Sequence, residues 1–115
     1  MANKNNTSFP SCTVTITLTP EARNFLAGTT AGVSHFAIYN DLLDNMAIVD
    51  TSFSKRGNIV PLLTGQAESS AHSMSERWKL GRKSMVRILS TMDDLGIIRL
   101  HTSRLASISD MLSVD

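Results

Sequence analysis

The sequence has 115 residues, of which 42% are hydrophobic and 18% charged, with a formal net charge of +1. This length suits one domain, since domains most often hold about 100–150 residues, and the composition argues against wholesale disorder and collagen-like structure. The near-neutral charge gives no overall attraction to nucleic acid, and the single Cys12 excludes an internal disulfide and a cysteine-cluster zinc site.

The first quarter of the chain is predicted to hold a tail, a strand and a short helix. Residues 1–11 are rich in Asn, Ser and Lys, which is typical of a disordered tail. Thr13–Leu18 alternates threonine with apolar residues, and this period of two predicts a half-buried strand. Thr19-Pro20 supplies a cap and a first helical residue, and Gly28 is expected to end that short helix.

The middle of the chain is predicted to contain two helices separated by a loop and a short strand. Apolar residues recur at spacings of three and four over 33–49, which predicts a helix. Thr51–Asn58 reads as a loop. The apolar run Ile59–Leu63 is interrupted by Pro61, which restricts it to a short or edge strand. Gln66–Trp78 is interpreted as a second helix, weakened by its serines.

The last third contains the most regular pattern. After a three-residue turn, Lys79-Leu80-Gly81, an i, i+3, i+4, i+7 apolar stripe predicts a helix over Arg82–Leu95. Gly96 is expected to end this helix. Ile97–His101 and Leu105–Leu112 then read as two strands of a hairpin.

Two helices joined by a three-residue turn are the helix-turn-helix arrangement. Leu80 is placed to fill the angle between the two helices. In that motif the second helix enters the major groove of DNA, and its N-terminal residues reach the base edges. The sequence pattern therefore predicts that Arg82–Leu95 is the helix that contacts the DNA bases.

The charge distribution agrees with this interpretation. Glu76–Arg104 contains seven Lys or Arg residues against three Asp or Glu, a net charge of +4, whereas the remainder has four against seven, a net charge of −3. The predicted DNA-contacting residues lie in the turn, near the start of the second helix, or on the hairpin; they are Lys79, Arg82, Lys83, Ser84, Arg87, Arg99 and Arg104. Together they form an electrostatic footprint for phosphates.

The segments Ser75–Leu89 and Asp94–Ile98 resemble the winged-helix family, and the resemblance extends over residues 33–112. It implies an α+β fold over residues 12–115: a winged helix-turn-helix with a three-helix core and a C-terminal β-hairpin wing, here with an extra N-terminal strand and a short helix. It also implies sequence-specific binding of double-stranded DNA in transcriptional regulation or replication control. The upstream elements are similar to winged helices of plasmid and mobile-element replication initiators, including the DnaD-like group.

The sequence departs from the family's pattern at the start of the reading helix. Gly81 stands where the family usually has Ser or Thr, and glycine is the poorer cap. The reading helix also has no Asn or Gln near its start, so adenine recognition by that route is not expected.

An alternative is a winged-helix protein-interaction or assembly module that binds no DNA. The low net charge and the acidic remainder favour it. The predicted edge strand Thr13–Leu18 can also pair with a second copy of itself, which would make a homodimer.

No pattern indicates an enzyme, a cofactor or a small-molecule substrate. The three histidines lack the spacing of a helical metal pair, and the adjacent Asp93 and Asp94 point in different directions on a helix. No apolar run reaches the roughly 20 residues of a membrane span, and Met1–Ser11 lacks the apolar stretch of a signal peptide. We therefore expect a cytoplasmic protein without a membrane partner.

Overall fold

A computed structural model describes residues 13–114 as a mixed α+β fold. The predicted tail at residues 1–11 lies outside this range. The helices are α1 (Pro20–Leu26), α2 (His35–Asp44), α3 (Ala71–Trp78) and α4 (Arg82–Asp94). The strands are β1 (Thr29–Thr30), β2 (Val33–Ser34), β3 (Thr51–Lys55), β4 (Asn58–Leu62), β5 (Gln66–Glu68), β6 (Arg99–Thr102) and β7 (Ser107–Asp110).

The strands form two small hairpins and one three-stranded sheet, all antiparallel. β1 pairs with β2, and β3 pairs with β4 in what we call the central hairpin. The third sheet has the order β5-β7-β6, so the last strand lies in its middle and pairs with both others. β6 and β7 form the C-terminal hairpin. In the chain, β5 comes directly before α3 and β6 follows α4. The α3–α4 pair therefore lies between two strands of the same sheet in sequence.

The core lies between α2, α4 and the three-stranded sheet. Fully buried side chains include Ile38, Met92 and Ile98, which come from the two helices and the segment that leads into β6. Tyr39 is also buried, and its hydroxyl lies 2.7 Å from Ser113 Oγ. Burial raises the pKa of Tyr39, although the Ser113 bond partly opposes this, so the phenol stays neutral and ties α2 to the C-terminal segment.

Trp78 lies at the edge of the core, as its place on the apolar stripe predicts. The ring is half-buried, and its Nε1 donates to Asp41 Oδ2 at 2.9 Å. The same carboxylate oxygen accepts from Arg77 at 2.7 Å. Asp41 thereby connects α2 to the end of α3. Arg77 is therefore a paired cation.

The N-terminal strand prediction is wrong, whereas the helix prediction that follows it is confirmed. Thr13–Leu18 is an extended segment with a single bridge, between Ile16 and Val114. One bridged pair does not make a strand that a second copy could extend. Thr19 Oγ1 accepts from the N–H of Ala22 at 3.1 Å, which is the predicted cap of α1.

The helix predicted over residues 33–49 is shorter at both ends. Ser34 Oγ accepts from the N–H of Ala37 at 3.1 Å, so α2 begins at His35 and the preceding residues form β2. Asn45 ends the helix by donating its side-chain N–H to Asp41 O at 2.8 Å. The capping side chains of Ser34 and Asn45 therefore set the two ends of α2, although the apolar pattern continues beyond them.

The predicted loop Thr51–Asn58 is wrong, because it contains β3 and the turn of the central hairpin. Arg56 and Gly57 both have positive φ, 51° and 79°, as the two-residue type I′ hairpin turn requires. The short-strand prediction for Ile59–Leu63 is confirmed by β4. Pro61 is accommodated there because, among the described strands, β4 pairs with β3 alone.

The predicted helix Gln66–Trp78 is also wrong over its first five residues. Gln66–Glu68 forms β5, and α3 begins only at Ala71. Ser70 Oγ accepts from the N–H of Ser73 at 3.3 Å and caps the helix. Serine favours helix caps over helix interiors, so the serines that weaken the pattern mark the true start.

Candidate nucleic-acid interface

α3 and α4 are joined by the predicted three-residue turn. Lys79 ends α3 in the left-handed conformation, with φ 55° and ψ 42°, and is exposed. Leu80 packs partly buried against the core, as expected for a residue that fills the angle between two helices. Gly81 precedes α4 in extended conformation and provides no side-chain cap.

α4 has two faces of opposite character. Its inner face is buried and consists of Met85, Ile88, Leu89 and Met92. Its outer face lines a shallow groove and consists of Arg82, Lys83, Val86, Arg87 and Ser90. We call this outer set the reading face. Val86 is 47% exposed there, so an apolar side chain lies among the cations of this face.

The charges of α4 oppose its own dipole. Two cations, Arg82 and Lys83, occupy the first turn, and two acids, Asp93 and Asp94, occupy the last. A helix is favoured by acids at its start and cations at its end, each worth about 0.3–1 kcal/mol when exposed. Helix stability therefore does not explain why the start of α4 is basic.

The end of α4 directs the chain into the C-terminal hairpin. The N–H of Gly96 bonds to Asp93 O at 3.0 Å, and the N–H of Ile97 bonds to Met92 O at 2.9 Å. Gly96 has a φ of 75°, so this is a Schellman motif, and Met92 and Ile97 are both buried in the core cluster. The predicted end of the helix is confirmed.

The tip of the C-terminal hairpin is held by one serine. Ser103 Oγ accepts from the N–H groups of Leu105 and Ala106, both at 3.2 Å. Arg104 therefore stands exposed on an ordered tip. Arg99 is also exposed, but it pairs in register with Asp110.

Asp110 anchors the base of the same hairpin. It lies 2.9 Å from His101 Nε2 and 2.8 Å from Gln66 Nε2. These two hydrogen bonds lower the pKa of Asp110, and the nearby Arg99 charge adds to the effect. The carboxylate thus partly offsets the positive charge of Arg99, which leaves Arg104 as the freer of the two hairpin arginines.

Part of the predicted footprint converges on a second groove. A cleft of about 440 Å³ is lined by Arg82, Arg104 and two cations of the central hairpin tip, Lys55 and Arg56. We call it the basic cleft. Lys79, Ser84 and Arg99 line neither the cleft nor the reading-face groove, and Ser84 is half-buried.

Four functional candidates were missed from the sequence: Lys55, Arg56, Val86 and Ser90. The adjacent Lys55-Arg56 pair was a possible signal, but only the fold brings it beside Arg82. Within residues 13–114, Arg56, Arg82, Lys83, Arg87 and Arg104 make no salt bridge, whereas Lys55 pairs with Glu68 at 3.2 Å.

No protein-family model, curated protein or solved structure matches this chain. Among the described residues, no three His, Cys, Asp or Glu side chains come together as a metal site. None of the helices found in residues 13–114 combines the length and apolar character needed to cross a membrane.

Proposed function

We propose that this chain is a winged-helix protein that binds double-stranded DNA in a sequence-specific manner. The observation that carries the proposal is the reading face: its three cations make no salt bridge within residues 13–114, and they lie on the exposed side of the second of two helices joined by a three-residue turn. The order α2-β3-β4-β5-α3-α4-β6-β7, in which the central hairpin stands between α2 and β5, together with the sheet order β5-β7-β6, supports a three-helix core with the C-terminal hairpin as wing.

In this proposal α4 lies in the major groove with its N-terminal half against the bases. Arg82 and Arg87 suit bidentate contacts to guanine, and Val86 suits contact with a thymine methyl group. Lys83 and Arg104 bind phosphates and fix the orientation of the protein on the duplex. The biological role is transcriptional regulation or replication control.

Fluorescence anisotropy with a labelled mixed-sequence duplex of about 30 base pairs, roughly three helical turns, tests the proposal. With phosphate contacts from Lys83 and Arg104, the slope of log K against log salt is expected to be about −1.8, so affinity falls roughly 10-fold between about 50 and 200 mM salt. No binding at low salt, or binding that salt does not weaken, would contradict the proposal. Selection from a random pool then identifies the preferred site.

A second candidate, a protein-interaction module, is favoured by one surface. β4 turns Ile59 and Pro61 outward on the central hairpin, and Leu63 follows just beyond the strand; Ile59 is 72% exposed and Leu63 51%. Exposed apolar residues grouped in this way are typical of protein contacts. Light scattering with and without duplex DNA separates the cases: a dimer that forms without DNA and binds none favours the interaction module.

A further inference from the structure

We propose that the central hairpin is an additional DNA-binding arm whose tip residue Arg56 contacts the phosphate backbone across the basic cleft from Arg104. This inference rests on the proposed DNA-binding function and extends it to an element outside the helix-turn-helix and the wing. It predicts that the sugar-phosphate backbone of one DNA strand passes between the two hairpin tips, beside the start of α4.

The hairpin is built to hold its tip in place. β3 and β4 pair over five residue pairs, from Thr51–Leu62 to Lys55–Asn58. The side chain of Asn58 donates to Arg56 O at 3.2 Å across the turn. On the inner side, Val60 and Leu62 are buried, which fixes the hairpin against the domain.

The identity of the tip residue is the first argument for a function. Arg56 has a φ of 51°, a left-handed conformation that non-glycine residues seldom adopt. Type I′ turns strongly favour Asn, Asp or Gly at this position. Turn geometry therefore does not select arginine here. Ala31 has the same conformation, with φ 50°, in the turn between β1 and β2, so what distinguishes Arg56 is the cation that it places at the hairpin tip.

The lining of the basic cleft is the second argument. Its cations come from three separate elements: the central hairpin, α4 and the C-terminal hairpin. The same cleft is lined by the hydroxyl groups of Ser70, Ser73 and Thr102 and by the imidazole of His72. The Ser103 hydroxyl also lines it but donates to Ala106 O at 3.1 Å. Arginine and hydroxyl donors of this kind are the usual ligands of phosphate oxygens in protein–DNA complexes.

The two adjacent cations at the tip differ in their charge environment, which makes the proposal specific. Lys55 Nζ lies 3.2 Å from Glu68 Oε2 on β5, so its charge is largely offset. Arg56 has no ion-pair partner within residues 13–114 and is exposed. Arg56 is therefore the residue available for phosphate, whereas Lys55 becomes available only if Glu68 is neutralised.

The test compares three variants in the anisotropy assay with the same duplex. Arg56→Asn keeps a side chain that favours the turn but removes the cation, so we expect a three- to tenfold loss of affinity and a salt slope smaller by about 0.9. Lys55→Ala should weaken binding by less than about twofold, because Glu68 already offsets that charge. Glu68→Gln should tighten binding by about two- to threefold, because it frees Lys55.

Sequence preference and stability complete the design. Arg56→Asn should leave the preferred DNA site unchanged, because phosphate contacts carry no direct sequence information, and its thermal midpoint should not fall. If the wild type binds DNA while Arg56→Asn retains full affinity and slope, the hairpin arm is refuted and the proposed function stands. If the wild type itself binds no DNA, the proposed function fails first.

Discussion

Replacing Arg82 with glutamate should weaken DNA binding by about 10- to 100-fold while making the domain slightly more stable. Binding falls because a phosphate or base contact is lost and a like charge is placed against the duplex. Stability rises because an acid in the first turn of α4 complements the helix dipole, which is worth about 0.3–1 kcal/mol for an exposed side chain. Anisotropy titration and thermal unfolding of the same sample measure both effects.

Arg23→Glu is the matched control, since Arg23 lies exposed on α1 and lines neither the reading-face groove nor the basic cleft. Both replacements remove one positive and add one negative charge, so both take the formal net charge from +1 to −1. Equal losses of affinity in the two variants would mean that net charge alone drives binding, and the reading face would be refuted. Arg87→Ala, on that face, should also weaken binding in this assay.

The opposite signs expected for Arg82 reflect a conflict within α4 between stability and binding. The helix lacks a side-chain cap at Gly81, begins with two cations and ends with two acids. Each feature weakens the helix in isolation, so packing of its inner face must hold it in place. Residues that break a local rule in this way are the ones expected to serve a function.

The segment from Lys79 to Gly96 was predictable because its signals are local. The apolar stripe of Arg82–Leu95 and the glycine that follows it are sufficient for a helix and its end, and the structure differs by one residue. The turn at Lys79-Leu80-Gly81 is equally local. Periodicity and a glycine in the left-handed conformation need no knowledge of distant residues.

The middle of the chain was less predictable because serine hydroxyl groups determine where its helices begin. Ser34 and Ser70 cap helices that begin later than the apolar patterns around them predict. In β3, Phe53 is the one apolar residue and stands between two serines, so the strand has no clear apolar alternation. The basic cleft was beyond reach for another reason. It joins Arg56 to Arg104, which only the tertiary fold brings together.

Alanine substitutions on the two faces of α4 should have different effects: one on the inner face should lower stability, and one on the reading face should lower DNA affinity. Ile88 is 3% exposed on the inner face, whereas Val86, two residues earlier, is 47% exposed on the reading face. Ile88→Ala leaves a cavity between α4 and the core, so we expect the free energy of unfolding to fall by about 2–4 kcal/mol. Val86→Ala loses only part of a half-exposed side chain and gains helix propensity, so stability should change by less than about 0.7 kcal/mol.

Urea denaturation followed by circular dichroism measures these free energies, and anisotropy measures the effect on binding. Where both variants are folded, Ile88→Ala should bind DNA nearly as well as the wild type, because no inner-face side chain reaches the duplex. Val86→Ala should lose affinity for the selected site by severalfold yet keep its affinity for unrelated duplex, because an apolar contact to thymine contributes only to recognition. A loss of stability in Val86→Ala as large as that of Ile88→Ala would instead place that side chain in the core and remove it from the reading face.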